Sequence, residues 1–157
     1  MIKRLEILEK VHKIKKIERH TSPKVEDYLE VIFELIKEKG YAKAKDISRI
    51  LNVKASTVTS MLRNLAEKRL INYEKYGGIT LTEEGLKKAE EISRKHQVII
   101  NFLLLLNINE EKANLEAEGI EHVISDETLR KIEILYNIIK ENSDTENKIR
   151  EKLLKNV

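Results

Sequence analysis

Apolar residues recur at helical spacing through most of this chain and give way to a strand-like pattern only once. Residues 2 to 19 place Ile2, Leu5, Ile7 or Leu8, Val11, Ile14 and Ile17 on one stripe, which predicts an amphipathic helix. Thr21-Ser22-Pro23 closes it and opens the next helix, with Ser22 as N-cap and Pro23 at the first helical position. That second helix sets Val25, Tyr28, Leu29, Ile32, Phe33, Leu35 and Ile36 around a broad apolar face and stops at Lys39-Gly40. A short helix over 44 to 51 follows, then a turn at Asn52-Val53-Lys54. A fourth helix over 55 to 68 turns Val58, Met61, Leu62 and Leu65 inward. Residues 70 to 74 and 79 to 82 are strand formers around a Tyr76-Gly77-Gly78 turn, which predicts a β-hairpin.

The helical period then resumes. Thr82 can cap a long helix whose inner face runs Leu86, Ala89, Ile92, His96, Ile99 or Ile100, and Leu103. The 107 to 109 segment breaks it, Asn109 can cap another helix through about residue 124, and Ser125-Asp126 opens a last long one bearing Leu129, Ile132, Leu135, Tyr136 and Ile139. Residues after Asn142 are polar and read as a loosely held tail. The expected fold is mainly α with a small β-hairpin.

Composition narrows what such a fold can do. No uninterrupted apolar run reaches membrane-spanning length, and the first 20 residues are charged throughout, unlike a secretory leader. With 0 cysteines, disulfides, thiolate metal sites and cysteine nucleophiles are excluded, and a cytoplasmic location fits. Residues 41 to 82 carry eight Lys/Arg against three Asp/Glu, whereas residues 83 to 157 carry twelve against sixteen. A polyanion therefore suits the first half and a cation the second.

Three helices with a tight turn before the third, closed by a hairpin, make a winged helix-turn-helix, whose third helix enters the major groove of double-stranded DNA. Ser56, Thr57, Thr59, Ser60, Arg63 and Asn64 supply outward hydroxyl, guanidinium and amide groups for phosphates and base edges. Lys43, Lys45, Arg49 and Lys54 flank the backbone, with Lys75 and Tyr76 at the wing tip. The same helical arrangement also serves as a protein-interaction or purely structural module, and hydroxyl-rich helix starts are common caps.

Two further clusters carry chemistry. Asp27 and Glu30 share a helix face, as do Glu118, Glu121 and His122, and His96 lies between them in sequence. If the fold gathers these faces, six oxygen and nitrogen ligands converge on divalent metal; carboxylate and imidazole without thiolate select Mn(II) or Fe(II) by ligand type and availability. Each residue also has an ordinary reading: Asp27 and Glu30 as solvated helix-start carboxylates, Glu118 and Glu121 as an exposed face, His96 as a hydrogen-bonded core histidine. His12 and His20 lie in a basic helix without acidic neighbours at ligand spacing and read as surface residues.

From Ser22 to about Ile139 the chain resembles the diphtheria-toxin repressor family of metal-dependent transcriptional regulators, most of all its shorter manganese-sensing branch. The resembling segments are Glu26-Asp27-Tyr28-Leu29-Glu30-Val31-Ile32, Glu38-Lys39-Gly40-Tyr41-Ala42, Ser56-Thr57-Val58-Thr59, Tyr73-Glu74-Lys75-Tyr76-Gly77-Gly78 with Leu81-Thr82, Arg94-Lys95-His96, and Glu118-Gly119-Ile120-Glu121-His122. The resemblance implies metal ligands at Asp27, Glu30, His96, Glu118, Glu121 and His122. The iron-sensing branch tends to carry Met in place of Asp27 and Cys in place of Glu118, so the harder ligands here favour manganese, with iron as the second choice. That branch also has an SH3-like third domain, for which this chain is too short.

On this resemblance residues 22–82 are a winged helix-turn-helix DNA-binding domain and 83–142 an all-α metal-binding and dimerisation domain. Residues 1–21 are an N-terminal helical extension that the resemblance does not cover, and 143–157 the polar tail. The family implies a homodimer, paired through residues 98 to 106 and the following helices, reading a pseudo-palindromic operator with half-sites about 34 Å apart. Metal ties the reading head to the dimer scaffold, and the expected role is repression of metal-uptake genes, with no catalysis. Two alternatives remain: a winged-helix regulator answering to an organic ligand or protein, and a metal-dependent hydrolase.

Overall fold

Local signals set most of the element boundaries. The computed structural model describes residues 4–18, 24–74 and 78–155, without the side chains of 14–18. Ten elements follow in order: α1 (Arg4–Glu18), α2 (Val25–Lys39), α3 (Ala44–Leu51), α4 (Ala55–Glu67), β1 (Ile71–Glu74), β2 (Gly78–Leu81), α5 (Glu83–Leu105), α6 (Glu110–Ile120), α7 (Asp126–Glu141) and α8 (Ser143–Lys155). They form two units, Met1–Ser93 and Arg94–Val157, divided within α5. Among the described residues no helix is long and apolar enough to cross a membrane.

In the first unit α2 starts one turn's fraction later than the Ser22-Pro23 signal suggests, with Lys24 as N-cap; Ser22 and Pro23 lie outside the described residues. The Lys24 backbone N–H donates to Asp27 Oδ2 at 2.5 Å, so the carboxylate at the third helical position does the capping. Gly40 ends α2 at φ 80°, its N–H donating to the Ile36 carbonyl at 2.7 Å. Asn52 performs the same left-handed turn after α3, at φ 52°. The hairpin pairs Ile71 with Leu81 and Glu74 with Gly78, and Ala42 adds a bridge to Ile79. Leu29, Ile32 and Leu35 of α2, Ile47 of α3, Leu62 and Leu65 of α4 and Ile79 of the hairpin share one core, to which α1 contributes Leu5 and Leu8.

Tyr28 lies in that core with its hydroxyl buried and without a hydrogen bond, and burial, followed by the neighbouring Asp27 charge, raises its pKa. Tyr28→Phe removes an unsatisfied donor at almost constant volume. It is expected to raise the stability of the metal-free protein by about 1 kcal/mol, measured by urea denaturation.

Thr82 caps α5 as expected, accepting from the Gly85 N–H at 3.0 Å. The α5 face turned to the hairpin is set by Gly85, whose neighbour is the Leu70 carbonyl, and Leu86 points outward, 40% exposed, contrary to its expected inward place.

In the second unit Val98, Ile99 and Ile100 of α5, Ala117 of α6 and Leu129 of α7 form the core. Asn109 and Ser125 cap α6 and α7 as the sequence indicates, accepting from the Lys112 and Thr128 N–H groups. Arg94 Nη1 donates to both Glu133 oxygens, at 3.1 and 2.8 Å, and Lys95 Nζ lies 2.8 Å from Asp126 Oδ1. The Lys95 hydrogen bond holds the Asp126 carboxyl below its ordinary range.

Leu135 is exposed and, with Ile134 and Ile138, forms an apolar stripe along α7. One expectation fails in this unit. The supposed tail is helical: the Thr145 N–H donates to Asn142 Oδ1, and α8 carries Glu146–Arg150 and Glu151–Lys155 pairs at i,i+4. None of its residues is buried; its half-buried row, Glu146, Ile149, Arg150 and Leu153, holds only two apolar residues, too few for periodicity to reveal.

Candidate metal centre

Asp27 and Glu30 stand at the third and sixth positions of α2 and share a face, as their spacing requires. Neither is solvated: Asp27 is 4% and Glu30 2% exposed. The Glu30 carboxylate is held by Arg4 of α1, whose Nε and Nη2 both donate to Oε1, the former at 3.2 Å. His12 Nε2, also on α1, lies 3.7 Å from Asp27 Oδ1. His12 is therefore a buried histidine beside a carboxylate rather than a surface residue, and its acidic partner sits on another helix, where spacing along α1 cannot show it. His20 lies outside the described residues.

Within the second unit the other four expected ligands converge. Glu118 lies in the last turn of α6, Glu121 caps it, and His122 follows in the turn, while His96 comes from the middle of α5. His96 Nδ1 is 2.5 Å from Glu121 Oε2 and 3.9 Å from Glu118 Oε2. His122 Nε2 lies 4.0 Å from Glu118 Oε1 and from Glu121 Oε1. Glu118, Glu121 and His122 each offer one ligand atom within 4.8 Å of the others. His96, Glu118 and Glu121 are buried, so this is not an exposed acidic face of a glutamate-rich helix. Two carboxylates and two imidazoles at this density fit a divalent cation of hard to borderline character.

The residues expected to read a groove lie mostly at the surface. On α4, Ser56, Thr57, Ser60, Arg63 and Asn64 are exposed. Thr59 is half-buried and donates its hydroxyl to the Ala55 carbonyl at 3.0 Å, which turns it from an outward reader into a backbone contact. Lys43, Lys45 and Lys54 are exposed, with Lys43 Nζ over the Tyr41 ring at 4.9 Å. Arg49 Nη1 lies 2.5 Å from Glu9 Oε2 on α1. Glu9 also binds Lys13, and that hydrogen bond first, with the Arg49 charge behind it, keeps the Glu9 carboxyl below its usual range. Lys75 and Tyr76 lie outside the described residues.

Two sequence families match this division of labour. Residues 20–79 match the iron dependent repressor N-terminal DNA binding domain, and residues 82–150 the iron dependent repressor metal binding and dimerisation domain. The chain belongs to the iron-dependent repressor family. Similar members include the HTH-type transcriptional regulator MntR of Geobacillus thermodenitrificans, 39% identical across 80% of this chain and 99% of that one. The MntR of Bacillus subtilis is 38% identical across 78% of this chain and 86% of its own. Among solved structures, the manganese regulator SloR is 32% identical with TM-score 0.64, covering 74% of this chain, and T. acidophilum IdeR is 34% identical with TM-score 0.67, covering 74%. This chain spans 55% of the length of each of those two solved chains. The named relatives in the iron-dependent repressor family are transcriptional regulators, which removes the hydrolase alternative. The family match begins at residue 20, so α1 precedes it.

Proposed function

We propose that this protein is a cytoplasmic, manganese-responsive DNA-binding repressor of metal-uptake genes, with Fe(II) as the second ion it accepts. The observation that carries the reading is a buried carboxylate and imidazole set in a chain that also presents a winged helix-turn-helix. The assigned ligands are Asp27, Glu30, His96, Glu118, Glu121 and His122. Oxygen and nitrogen donors without sulfur suit manganese, and relatives named as manganese regulators support that choice.

When bound, the cation supplies positive charge and a fixed coordination geometry. The residues do the rest. Asp27 and Glu30 ride on α2 of the reading unit, and His96, Glu118, Glu121 and His122 belong to the second unit, so sharing one ligand set couples the order of the two. Reading heads already ordered spend less conformational entropy on meeting DNA. Ser56, Thr57, Ser60, Arg63 and Asn64 then face base edges and phosphates, with Lys43, Lys45 and Lys54 along the backbone. Residues 22–82 form the reading domain and 83–142 the metal-binding domain; within the 98 to 106 segment Val98, Ile99 and Ile100 are taken up by the unit's own core, so the homodimer pairs through the half-buried Phe102, Leu103, Leu104 and Leu106 and through the exposed stripe of α7.

A gel-shift titration tests this reading. Retention of a pseudo-palindromic operator is expected to rise with Mn(II) and vanish on chelation. With three backbone lysines per protomer the log–log salt slope is expected near about −5. Binding that ignores Mn(II) sinks the proposal in favour of a regulator with another effector.

A further inference from the structure

α1 lies outside the matched family region, yet it supplies the groups that face two assigned ligands. It is anchored on α2 and α3, with Leu5, Leu8 and Val11 buried. That anchorage delivers Arg4 to Glu30: both Nε and Nη2 donate to one carboxylate oxygen, and the side chains are 16% and 2% exposed. The Glu30 carboxylate is what makes the position favourable, a charge-assisted fork contact at a largely buried site.

We propose that Arg4 is a resident counter-ion of the metal site, which a divalent cation must displace from Glu30, so that the N-terminal helix raises the metal concentration at which the protein loads. The inference rests on Glu30 being a ligand. Arg4 and the incoming ion offer the same thing to the same carboxylate, positive charge at hydrogen-bonding or ligand distance, and a carboxylate oxygen engaged by two N–H groups is a poorer metal donor. Two hydrogen bonds of ordinary net strength shift an equilibrium about ten- to a hundredfold, and charge assistance raises that further. Glu9, which ties α1 to Arg49 of α3, helps hold the helix in register for this contact.

The test measures Mn(II) binding to the full chain by titration calorimetry, with melting temperatures taken with and without Mn(II). Arg4→Gln is expected to tighten Mn(II) binding about tenfold or more, to lower the melting temperature of the metal-free protein, and to enlarge the rise that Mn(II) produces. A merely structural Arg4 would lower both melting temperatures alike and leave affinity unchanged, which overturns the proposal. Lys13→Gln removes one charge from the same helix at an exposed position paired with Glu9; an equal gain there would reduce the effect to general electrostatics and also overturn it. Arg4→Lys keeps charge and stem without the fork, and a smaller gain in the same direction is expected, whereas weaker binding than wild type counts against displacement. Glu30→Ala separates the two readings. Mn(II) binding unchanged in Glu30→Ala removes the ligand assignment, while loss there with no gain in Arg4→Gln removes only the counter-ion.

Discussion

Glu118→Gln is expected to leave the metal-free protein folded while lowering its affinity for Mn(II) at least about a hundredfold, more than outer-shell substitutions at metal sites cost. Glu118 is fully buried, with His96 Nδ1 at 3.9 Å and His122 Nε2 at 4.0 Å. Glutamine keeps the volume and a carbonyl acceptor but removes the charge, and with it the repulsion between Glu118 and Glu121 that a metal-free site must tolerate. Stability without metal should therefore hold or rise. Metal-dependent stability should not: at a free Mn(II) concentration of 100 times the wild-type Kd, binding adds about 2.7 kcal/mol, and a hundredfold weaker site retains about 0.4 kcal/mol of that. Melting curves with and without Mn(II) read this directly, and operator retention at the same metal concentration should disappear. A Glu118→Gln protein that still gains the full wild-type melting shift would show that the carboxylate is no ligand.

Features that act through near neighbours were legible from the residues. The 44 to 51 helix matches α3 at both ends, and Gly40, Thr82, Asn109 and Ser125 mark helix ends because their side chains or backbone satisfy groups one turn away. Asp27 and Glu30, and Glu118, Glu121 and His122, could be placed on common faces for the same reason. Pairings between helices could not. Arg4 with Glu30, His12 with Asp27 and Glu9 with Arg49 join residues far apart in sequence, and nothing in the spacing of α1 announces them. Facing was misjudged at Leu86, expected on the inner face of α5 and 40% exposed, because helical periodicity marks an apolar position without showing whether a neighbouring element covers it. α8 was missed because it buries nothing. Its support is charge pairing along its own surface, a weaker signal than an apolar stripe.

Gly85→Ala is expected to destabilise the protein by about 3 kcal/mol, toward the upper end of what overpacking costs, and to lower the melting temperature by roughly 6–12 °C. Helix propensity alone argues the opposite, since alanine in place of glycine gains up to about 1 kcal/mol in a helix interior and a part of that in the first turn, where Gly85 stands. Contact decides the sign. A Cβ on Gly85 would stand 1.8 Å from the Leu70 carbonyl oxygen and 2.7 Å from its carbon, backbone atoms that no rotamer change can move aside. That same oxygen accepts the Thr82 N–H at 3.1 Å, and the Thr82 hydroxyl donates to the Arg69 carbonyl at 2.6 Å, so retreat of Leu70 would break the junction where the hairpin enters α5. The wing and the start of α5 are thus packed to backbone contact. Gly119→Ala supplies the control: a Cβ there meets nothing within 4 Å, and in α6 propensity should prevail with a gain of up to about 1 kcal/mol. Opposite signs at the two glycines, in urea denaturation of the metal-free chain, separate steric exclusion from propensity; a gain at both would mean that Leu70 yields and that the hairpin is not fixed against α5 in this way.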